Sequence, residues 1–187
     1  MTEDGLFNRL RAYLVRLDAD AKLIDPAHQT LADVIQAHDG GPRPVGPYAS
    51  LNVISDRDLA EVDCETYEAR TIDGQPRVIA ARARAVEWLV RVEVYASRPT
   101  DRLDLFRGGL TSEYALVDLS PLVVREVGRV PRMPEQVQQH WEGRAHFDVA
   151  LAGIVVSRML VDVIETGSVT LTHTDRAELT RALTYSR

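Results

Sequence analysis

Two stretches with apolar side chains at alternate positions dominate the pattern along this chain. The first runs from residue 83 to residue 96, and one side of it carries five large apolar side chains: Val86, Trp88, Val90, Val92 and Val94. The second, Gly143–Val155, has a matching apolar side made of Ala145, Phe147, Val149, Leu151 and Val155. A period of two in β-branched and aromatic residues predicts two long strands, each with one fully buried face.

Helical periodicity marks three other segments. Apolar residues recur at steps of three and four within Leu6–Leu17. A second helix is predicted to begin after Arg98-Pro99, with the apolar stripe Leu103, Phe106, Leu110 and Tyr114. Gly108-Gly109 weakens that helix by about 1 kcal/mol per glycine relative to alanine, so we expect a kink or an early end there. In the tail 175–187, Asp175 and Glu178 stand at capping-box spacing, which predicts a short C-terminal helix.

The remaining extended segments are short and bounded by turn residues. They are Tyr48–Ser55, Glu65–Ile72, Arg77–Arg84, Val123–Val130 and Val161–Thr172. Asp73-Gly74 joins the second and third of these as a hairpin.

Three connecting segments complete the picture. Gly40–Pro47 holds three glycines and three prolines, so it is predicted to be a shaped loop. Arg132–His140 is predicted to be an exposed polar connector. Leu31, Val34 and Ile35 fit either a short helix or a short strand at 34–37, and the local pattern leaves both open. The element order predicts an α+β fold: a mostly antiparallel mixed sheet with long central strands and helices packed on one face.

Composition narrows the function classes. The net charge is −6 and the pI is near 5.4, which argues against a protein that binds nucleic acid through a basic face. The longest apolar run, Val149–Val156, is too short to span a membrane, and the N-terminal residues do not form a secretory signal. The single cysteine, Cys64, suits a reducing compartment.

Candidate chemistry is sparse. His146 and Asp148 share one strand face, but two ligands without a third make a poor metal site, so no metal and no cofactor are predicted. The sequence contains no phosphate loop, dinucleotide fingerprint or nucleophile elbow. One reading is a small-ligand enzyme that uses the strand face around Arg91, His146 and Asp148, which would require a concave pocket where these residues converge.

Several motifs in order carry a family resemblance. They are Val34–His38 followed by Gly41–Pro44 and Gly46-Pro47-Tyr48, then Val90–Tyr95, Gly128–Val130, Trp141–Asp148 and Ile164-Glu165 with Val169. Together these stretches resemble the neck or tail-terminator proteins of long-tailed phages and related gene-transfer particles. The likeness covers residues 30–172. It implies a single domain over 1–187, with 1–29 as an N-terminal helix and connector and 173–187 as a tail.

The resemblance implies a structural virion protein without enzymatic activity or a cofactor. Such subunits are similar in forming a ring, usually a hexamer, that caps the completed tail tube, stops its polymerisation and offers a surface for the head connector. The implied partners are other copies of the chain, the tail tube protein and the head connector or stopper, with DNA passing the lumen without specific binding and no membrane contact. The implied location is the virion neck, after assembly in the host cytoplasm.

The same resemblance implies which residues contact neighbouring proteins. The candidates lie in or near the segments 38–48 and 132–141 and are Arg43, Tyr48, Trp141 and Arg144. An alternative within the virion is another head–tail connector, a head-completion subunit or a baseplate subunit.

Overall fold

The computed structural model describes residues 2–38, 40–59, 64–131, 135–137, 140–161, 166–171 and 181–186. The chain divides into two compact units, one formed by Met1–Asp63 with Ala83–Val156 and the other by Cys64–Arg82 with Ser157–Arg187. In chain order the elements are α1 (Glu3–Ile24), β1 (Asp33–Gln36), β2 (Tyr48–Asp58), β3 (Cys64–Ile72), β4 (Gln75–Tyr95), α2 (Pro99–Leu110), α3 (Glu113–Asp118), β5 (Val123–Val127), β6 (Glu135–Val137), β7 (His140–Glu142), β8 (Arg144–Val161), β9 (Thr166–Leu171) and β10 (Arg181–Ser186).

Among the described residues, the main sheet has six strands and a mixed, mostly antiparallel topology. Its order is β1-β2-β4-β8-β5, and β3 pairs with β4. Strand β1 is parallel to β2, whereas β2 with β4 and β5 with β8 are antiparallel. This sheet with its three helices confirms the predicted α+β class.

The apolar sides of the long strands form the core, as their alternation predicts. On β4 the five predicted side chains from Val86 to Val94 are buried, and on β8 so are Ala145, Phe147, Val149 and Leu151. Val155 is only partly buried. The β2–β4 register places Ala49 opposite Val94 and therefore on this same face. Leaving one such large side chain in water would cost about 1.5–3 kcal/mol.

Helix α1 covers the apolar face and is longer than the periodicity predicts. Its N-cap Thr2 accepts a hydrogen bond from the Gly5 amide at 3.2 Å, which satisfies one of the free amides of the first turn. Leu6, Leu10 and Leu14 are buried in the same core cluster as the strands. The helix ends before Asp25, whose amide donates to the Ala21 carbonyl at 2.8 Å.

Gly109 permits the close approach of α1 and α2. A Cβ atom at this position would lie 2.3 Å from Cδ1 of Leu17, closer than two non-bonded carbon atoms can approach. The Tyr13 hydroxyl donates to the Gly109 carbonyl at 2.7 Å across the same contact. Helix α2 ends at Leu110, directly after this glycine, so the early end predicted from Gly108-Gly109 is observed.

The last residue of the predicted apolar stripe, Tyr114, lies outside the buried stripe in the structure. Leu103, Phe106 and Leu110 are buried on α2, but Tyr114 is 74% exposed. The prediction for Tyr114 was wrong because α2 stops at Leu110 and a separate short helix, α3, begins at Glu113. The helical spacing that would have kept Tyr114 on the buried side is interrupted by Thr111-Ser112.

Strand β1 settles the open choice at residues 31–37 in favour of a strand. It forms one edge of the sheet, and the backbone carbonyl and amide of Val34 are hydrogen-bonded to side chains. The Val34 carbonyl accepts from Arg11 Nε at 2.8 Å, and the Val34 amide donates to Asp33 Oδ1 at 2.7 Å. Arg11 and Asp33 also pair with each other at 2.7 Å, and this contact lowers the pKa of the Asp33 carboxyl below its ordinary value.

The other unit contains two described pairings. Strand β3 and the first part of β4 form the predicted hairpin, with Asp73 and Gly74 both at positive φ, 52° and 76°. Strand β10 pairs antiparallel with β9. The prediction of a C-terminal helix over 175–187 was therefore wrong for residues 181–186, whose backbone groups pair across to another strand instead of along a helix; residues 172–180 and 187 lie outside the described part.

Smaller boundary differences concern five segments. Strand β2 continues to Asp58, β5 ends at Val127 and β8 continues to Val161. In the predicted polar connector, residues 135–137 form a strand paired with 140–142, while 132–134 and 138–139 lie outside the described residues. Residues 162–165 and 172 of the predicted last strand are likewise outside them.

Candidate interaction surface

The face of the main sheet opposite the helices carries a continuous row of polar and aromatic side chains. The β2–β4 register pairs Tyr48 with Tyr95, Ser50 with Glu93 and Asn52 with Arg91. These residues alternate with the core-facing positions of their strands, so they share the outer face. On β8, Arg144, His146 and Asp148 alternate in the same way with buried Ala145, Phe147 and Val149.

A stack of tyrosines and arginines lies at one end of this face. The rings of Tyr48 and Tyr95 are 4.6 Å apart and nearly parallel, with an interplanar angle of 9°. The Arg43 guanidinium lies 5.2 Å from the Tyr48 ring centre and 5.5 Å from that of Tyr95, and Arg144 lies 5.3 Å from Tyr95. Such contacts contribute about 0.5–2 kcal/mol each, depending on how far water is excluded.

Glu93, on β4, forms hydrogen bonds with two residues of this stack and with Ser50 of the neighbouring strand β2. Its carboxylate accepts from Arg144 Nη2 at 2.8 Å, from the Tyr95 hydroxyl at 3.0 Å and from the Ser50 hydroxyl at 3.4 Å. Burial disfavours the charged carboxylate, but the Arg144 bond and charge together with the Tyr95 hydroxyl outweigh it, so the pKa of Glu93 lies below its ordinary value. Burial and the charge of Glu93 raise the pKa of Tyr95, which keeps its phenol neutral. We call Arg43, Tyr48, Glu93, Tyr95 and Arg144 the arginine–tyrosine cluster.

A second ion pair lies beside the cluster. Arg91 donates from Nε and Nη2 to the two carboxylate oxygens of Asp148, at 2.8 and 3.1 Å. This two-pronged bond raises the pKa of Arg91. Arg91 and Asp148, two of the three residues in the enzyme hypothesis, are therefore bonded to each other.

The glycine- and proline-rich loop stands over one end of the outer face. Its ends are tied to the sheet, since the Ala32 amide donates to the Pro47 carbonyl at 2.6 Å and the Ala37 amide to the Leu51 carbonyl at 2.7 Å. Gly40 and Gly46 adopt positive φ angles of 69° and 101°, which favour glycine. Between loop and sheet lies an open cavity of about 570 Å³, lined by residues 35–38 and 40–42 of the loop side and by Tyr48, Ser50, Asn52, Arg91, Glu93, Tyr95 and Arg144 of the sheet.

Three of the four predicted contact residues meet at this place. Arg43 comes from the loop, Tyr48 from the start of β2 and Arg144 from the start of β8, and all three surround Tyr95. Trp141 lies in β7, but its side chain is outside the described part of the structure. Sequence reasoning missed Glu93 and Tyr95 as members of the cluster. Both stood on the polar side of the β4 alternation, yet only the strand register shows that Tyr95 faces Tyr48.

The described residues contain neither a cluster of metal-binding side chains nor a helix that could span a membrane. No three histidine, cysteine, aspartate or glutamate side chains there lie close enough to hold a metal ion. None of the described helices is long and apolar enough to cross a membrane.

Comparison with known proteins identifies the family. A family model described as phage neck terminator protein matches residues 4–176, nearly the whole chain. The chain belongs to the phage neck terminator family. The resemblance noted in the sequence is thereby confirmed, and this neck terminator is a structural component of a phage virion. No curated protein matches it significantly. Membership of a structural family argues against the hypothesis of catalysis on the outer sheet face.

Proposed function

We propose that this neck terminator forms a ring, a hexamer of identical subunits, on the end of the completed tail tube. There it stops tube polymerisation and provides the surface on which the head is joined. The observation that carries the proposal is the family match over residues 4–176. Its partners would be other copies of itself, the tail tube protein and the head connector or stopper, with DNA passing through the lumen of a particle assembled in the host cytoplasm.

The arginine–tyrosine cluster is the surface we assign to contacts with neighbouring proteins. A closed ring requires two different patches on each subunit that fit each other. The cluster suits one of them because its side chains are held in place: Tyr48 is only 6% exposed, and Arg144 is bonded to Glu93. Tyrosine and arginine are also the residue types that contribute most to protein interfaces. We keep Trp141 as a further contact candidate.

Electron microscopy of particles from a producing strain that lacks this gene tests the proposal. We expect overlong or unfinished tails beside separate heads filled with DNA, and normal particles when the wild-type gene is restored. Normal particles without the gene would contradict a terminator role. Heads accompanied by no tails at all would instead favour the head-completion alternative.

Complementation with single variants tests the contact surface. Arg43→Glu reverses one exposed charge of the cluster and is expected to reproduce the tail defect at least in part. Arg107→Glu makes the same charge change at an exposed position of α2 and serves as the matched control. If both variants restore normal tails equally well, the assignment of this surface is wrong, while the terminator role is unaffected.

A further inference from the structure

The short helix α3 exposes a contiguous apolar surface. Tyr114 is 74% exposed, Leu116 59% and Val117 75%. Glu113 stands three residues before Leu116 and four before Val117, so these side chains are neighbours on one side of the helix. Buried Ala115 lies on the opposite side, which packs on the core. We call Glu113, Tyr114, Leu116 and Val117 the α3 patch, and contiguous exposed apolar surfaces of this kind are typical of protein-binding sites.

Contacts with α1 anchor the end of α3. The Arg16 guanidinium donates to the Asp118 carboxylate in the last turn of α3, and the Arg9 guanidinium donates to the Ser120 carbonyl just after the helix. Because Arg16 compensates the charge of Asp118, Glu113 is the carboxylate of α3 that has no ion-pair partner among the described residues. The α3 patch therefore presents one negative charge among apolar side chains on an anchored helix.

The glycine- and proline-rich loop presents the opposite charge beside an apolar side chain. Arg43 is exposed, and its guanidinium is stacked on the rings of Tyr48 and Tyr95. Val45, two residues further along the loop, is 96% exposed. The arginine–tyrosine cluster contains two arginines and one glutamate, which gives it a net charge of +1. The cluster and its loop thus complement the α3 patch in both charge and apolar character.

The two surfaces lie at opposite edges of the main sheet. The loop joins β1 and β2, and β1 is one edge of the strand order β1-β2-β4-β8-β5. Helix α3 precedes β5, the other edge, and contacts it. Five strands spaced about 4.8 Å apart place the two edges roughly 19 Å from each other. The loop and the α3 patch of one subunit therefore do not meet, whereas those of two adjacent copies can.

We propose that the α3 patch of one subunit binds the arginine–tyrosine cluster and its loop on the next copy of the chain. Glu113 accepts a hydrogen bond from Arg43 of that copy. Val45 of the loop packs against Leu116 and Val117. This contact joins two different surfaces of identical chains, and such a contact closes a ring when it is repeated with a constant rotation. The inference rests on the proposed ring and names the second of the two surfaces that the ring requires.

Exchanging the two charges tests the contact in particles from the producing strain that lacks this gene. Arg43→Glu and Glu113→Arg each place like charges at every contact, so each should lower the yield of normal tails by about tenfold or more. A chain with both changes has an attractive pair at every contact again and should recover most of that yield. Asp20→Arg reverses the charge at an exposed position of α1 and should complement as the wild type does.

The outcomes distinguish this contact from the terminator role. If loss of the gene gives overlong or unfinished tails but Glu113→Arg restores normal ones, the terminator role stands and the α3 contact is wrong. A doubly changed chain that performs no better than either single variant overturns the pairing of the two surfaces. Both residues are exposed, so the purified variants should unfold at the same urea concentration as the wild type.

Thiol cross-linking in assembled particles tests the same contact without a change of charge. A Cys64→Ser background removes the exposed native thiol, and Val45→Cys and Val117→Cys are then combined in one chain. A short bis-maleimide should convert this chain into a ladder of covalent multimers, because every subunit is linked to both neighbours. Chains with only one of the two new cysteines should stay monomeric, since a heterologous contact does not bring identical residues together.

Three results of the cross-linking would overturn the proposal. The first is a doubly changed chain that remains monomeric in normal particles. The second is a dimer formed by either single-cysteine chain, which would indicate a contact between identical surfaces. The third is a cross-link from Val117→Cys to another protein of the particle, which would assign the α3 patch to that protein.

Discussion

Replacing Glu93 by glutamine tests whether its charge organises the outer sheet face. Glutamine keeps the size of the side chain but not the charge. Arg144 donates to one carboxylate oxygen of Glu93 and Tyr95 to the other, so the change also removes one of the two acceptors. Glu93 is well shielded, with its side chain 13% exposed, and its partner Arg144 is 28% exposed.

The expected loss follows from the bonds that Glu93 accepts. Hydrogen bonds to a charged group are worth about 1.5–3 kcal/mol and neutral ones about 0.5–1.5 kcal/mol. The two short bonds, from Arg144 at 2.8 Å and Tyr95 at 3.0 Å, dominate, because the Ser50 bond is longer at 3.4 Å. Allowing for the water that reaches Arg144, we expect Glu93→Gln to lower the free energy of unfolding by about 1–2 kcal/mol at pH 7. The melting temperature should fall by roughly 2–8 °C.

The loss should depend on pH in one direction. Because the pKa of Glu93 is lower in the folded protein, its charge stabilises the fold at pH values above the unfolded pKa of about 4.3. This contribution disappears as the pH falls through the folded pKa. Urea titrations at pH 7 and at successively lower pH should therefore show the difference between wild type and Glu93→Gln narrowing below about pH 4.

An exposed pair provides the control. Glu68 accepts from Arg70 at 3.0 Å, with both side chains about 60% exposed, and Glu68→Gln should change stability by less than about 0.5 kcal/mol. The reasoning is refuted if Glu93→Gln unfolds at the same urea concentration as the wild type at pH 7. It is refuted equally by a difference that grows as the pH falls.

Three further predictions concern the core and the cluster. Gly109→Ala should destabilise the protein by about 1–3 kcal/mol because its Cβ would clash with Leu17. In a Leu17→Ala background the same change should be neutral or stabilising by up to about 1 kcal/mol. Urea titration of the proteins with and without Gly109→Ala, in each background, measures both effects. Leu14→Ala, at a fully buried position, should cost about 2–5 kcal/mol in the same assay, and a cost below 1 kcal/mol would contradict its place in the core. The Tyr95 phenol should have a pKa above the ordinary tyrosine value of about 10, so the stability it contributes is lost as the pH rises towards that higher pKa. The difference in phenolate absorbance between wild type and Tyr95→Phe measures the ionisation of Tyr95, and ionisation near pH 10 would contradict the prediction.

Local patterns predicted the parts of the fold that depend on local spacing. The buried sides of β4 and β8, the hairpin at Asp73-Gly74 and most of α1 follow from period and turn chemistry within a few residues. The burial of Tyr114 was mispredicted because α2 ends at Leu110, before Tyr114 is reached. Residues 181–186 were mispredicted because they pair with β9, which a local pattern does not show.

The candidate surface shows the same division between local and distant information. Arg43, Tyr48 and Arg144 entered through a family resemblance, since nothing in their spacing indicates that they meet. Glu93 and Tyr95 were visible as outward-facing positions, but their partners come from strands more than forty residues away in sequence. Register across a sheet cannot be read from one strand alone.

The edge strand β1 has a consequence for how copies of this protein can associate. A sheet edge with free amides and carbonyls acts as a template to which a further strand can add, and then another, without a natural limit. At Val34 both backbone groups are already held by Arg11 and Asp33, so an incoming strand would have to break those bonds first. Addition of a strand at this position of the edge is thereby disfavoured. Side-chain contacts set a definite geometry, which lets an assembly close at a fixed number of subunits instead of growing into a fibre.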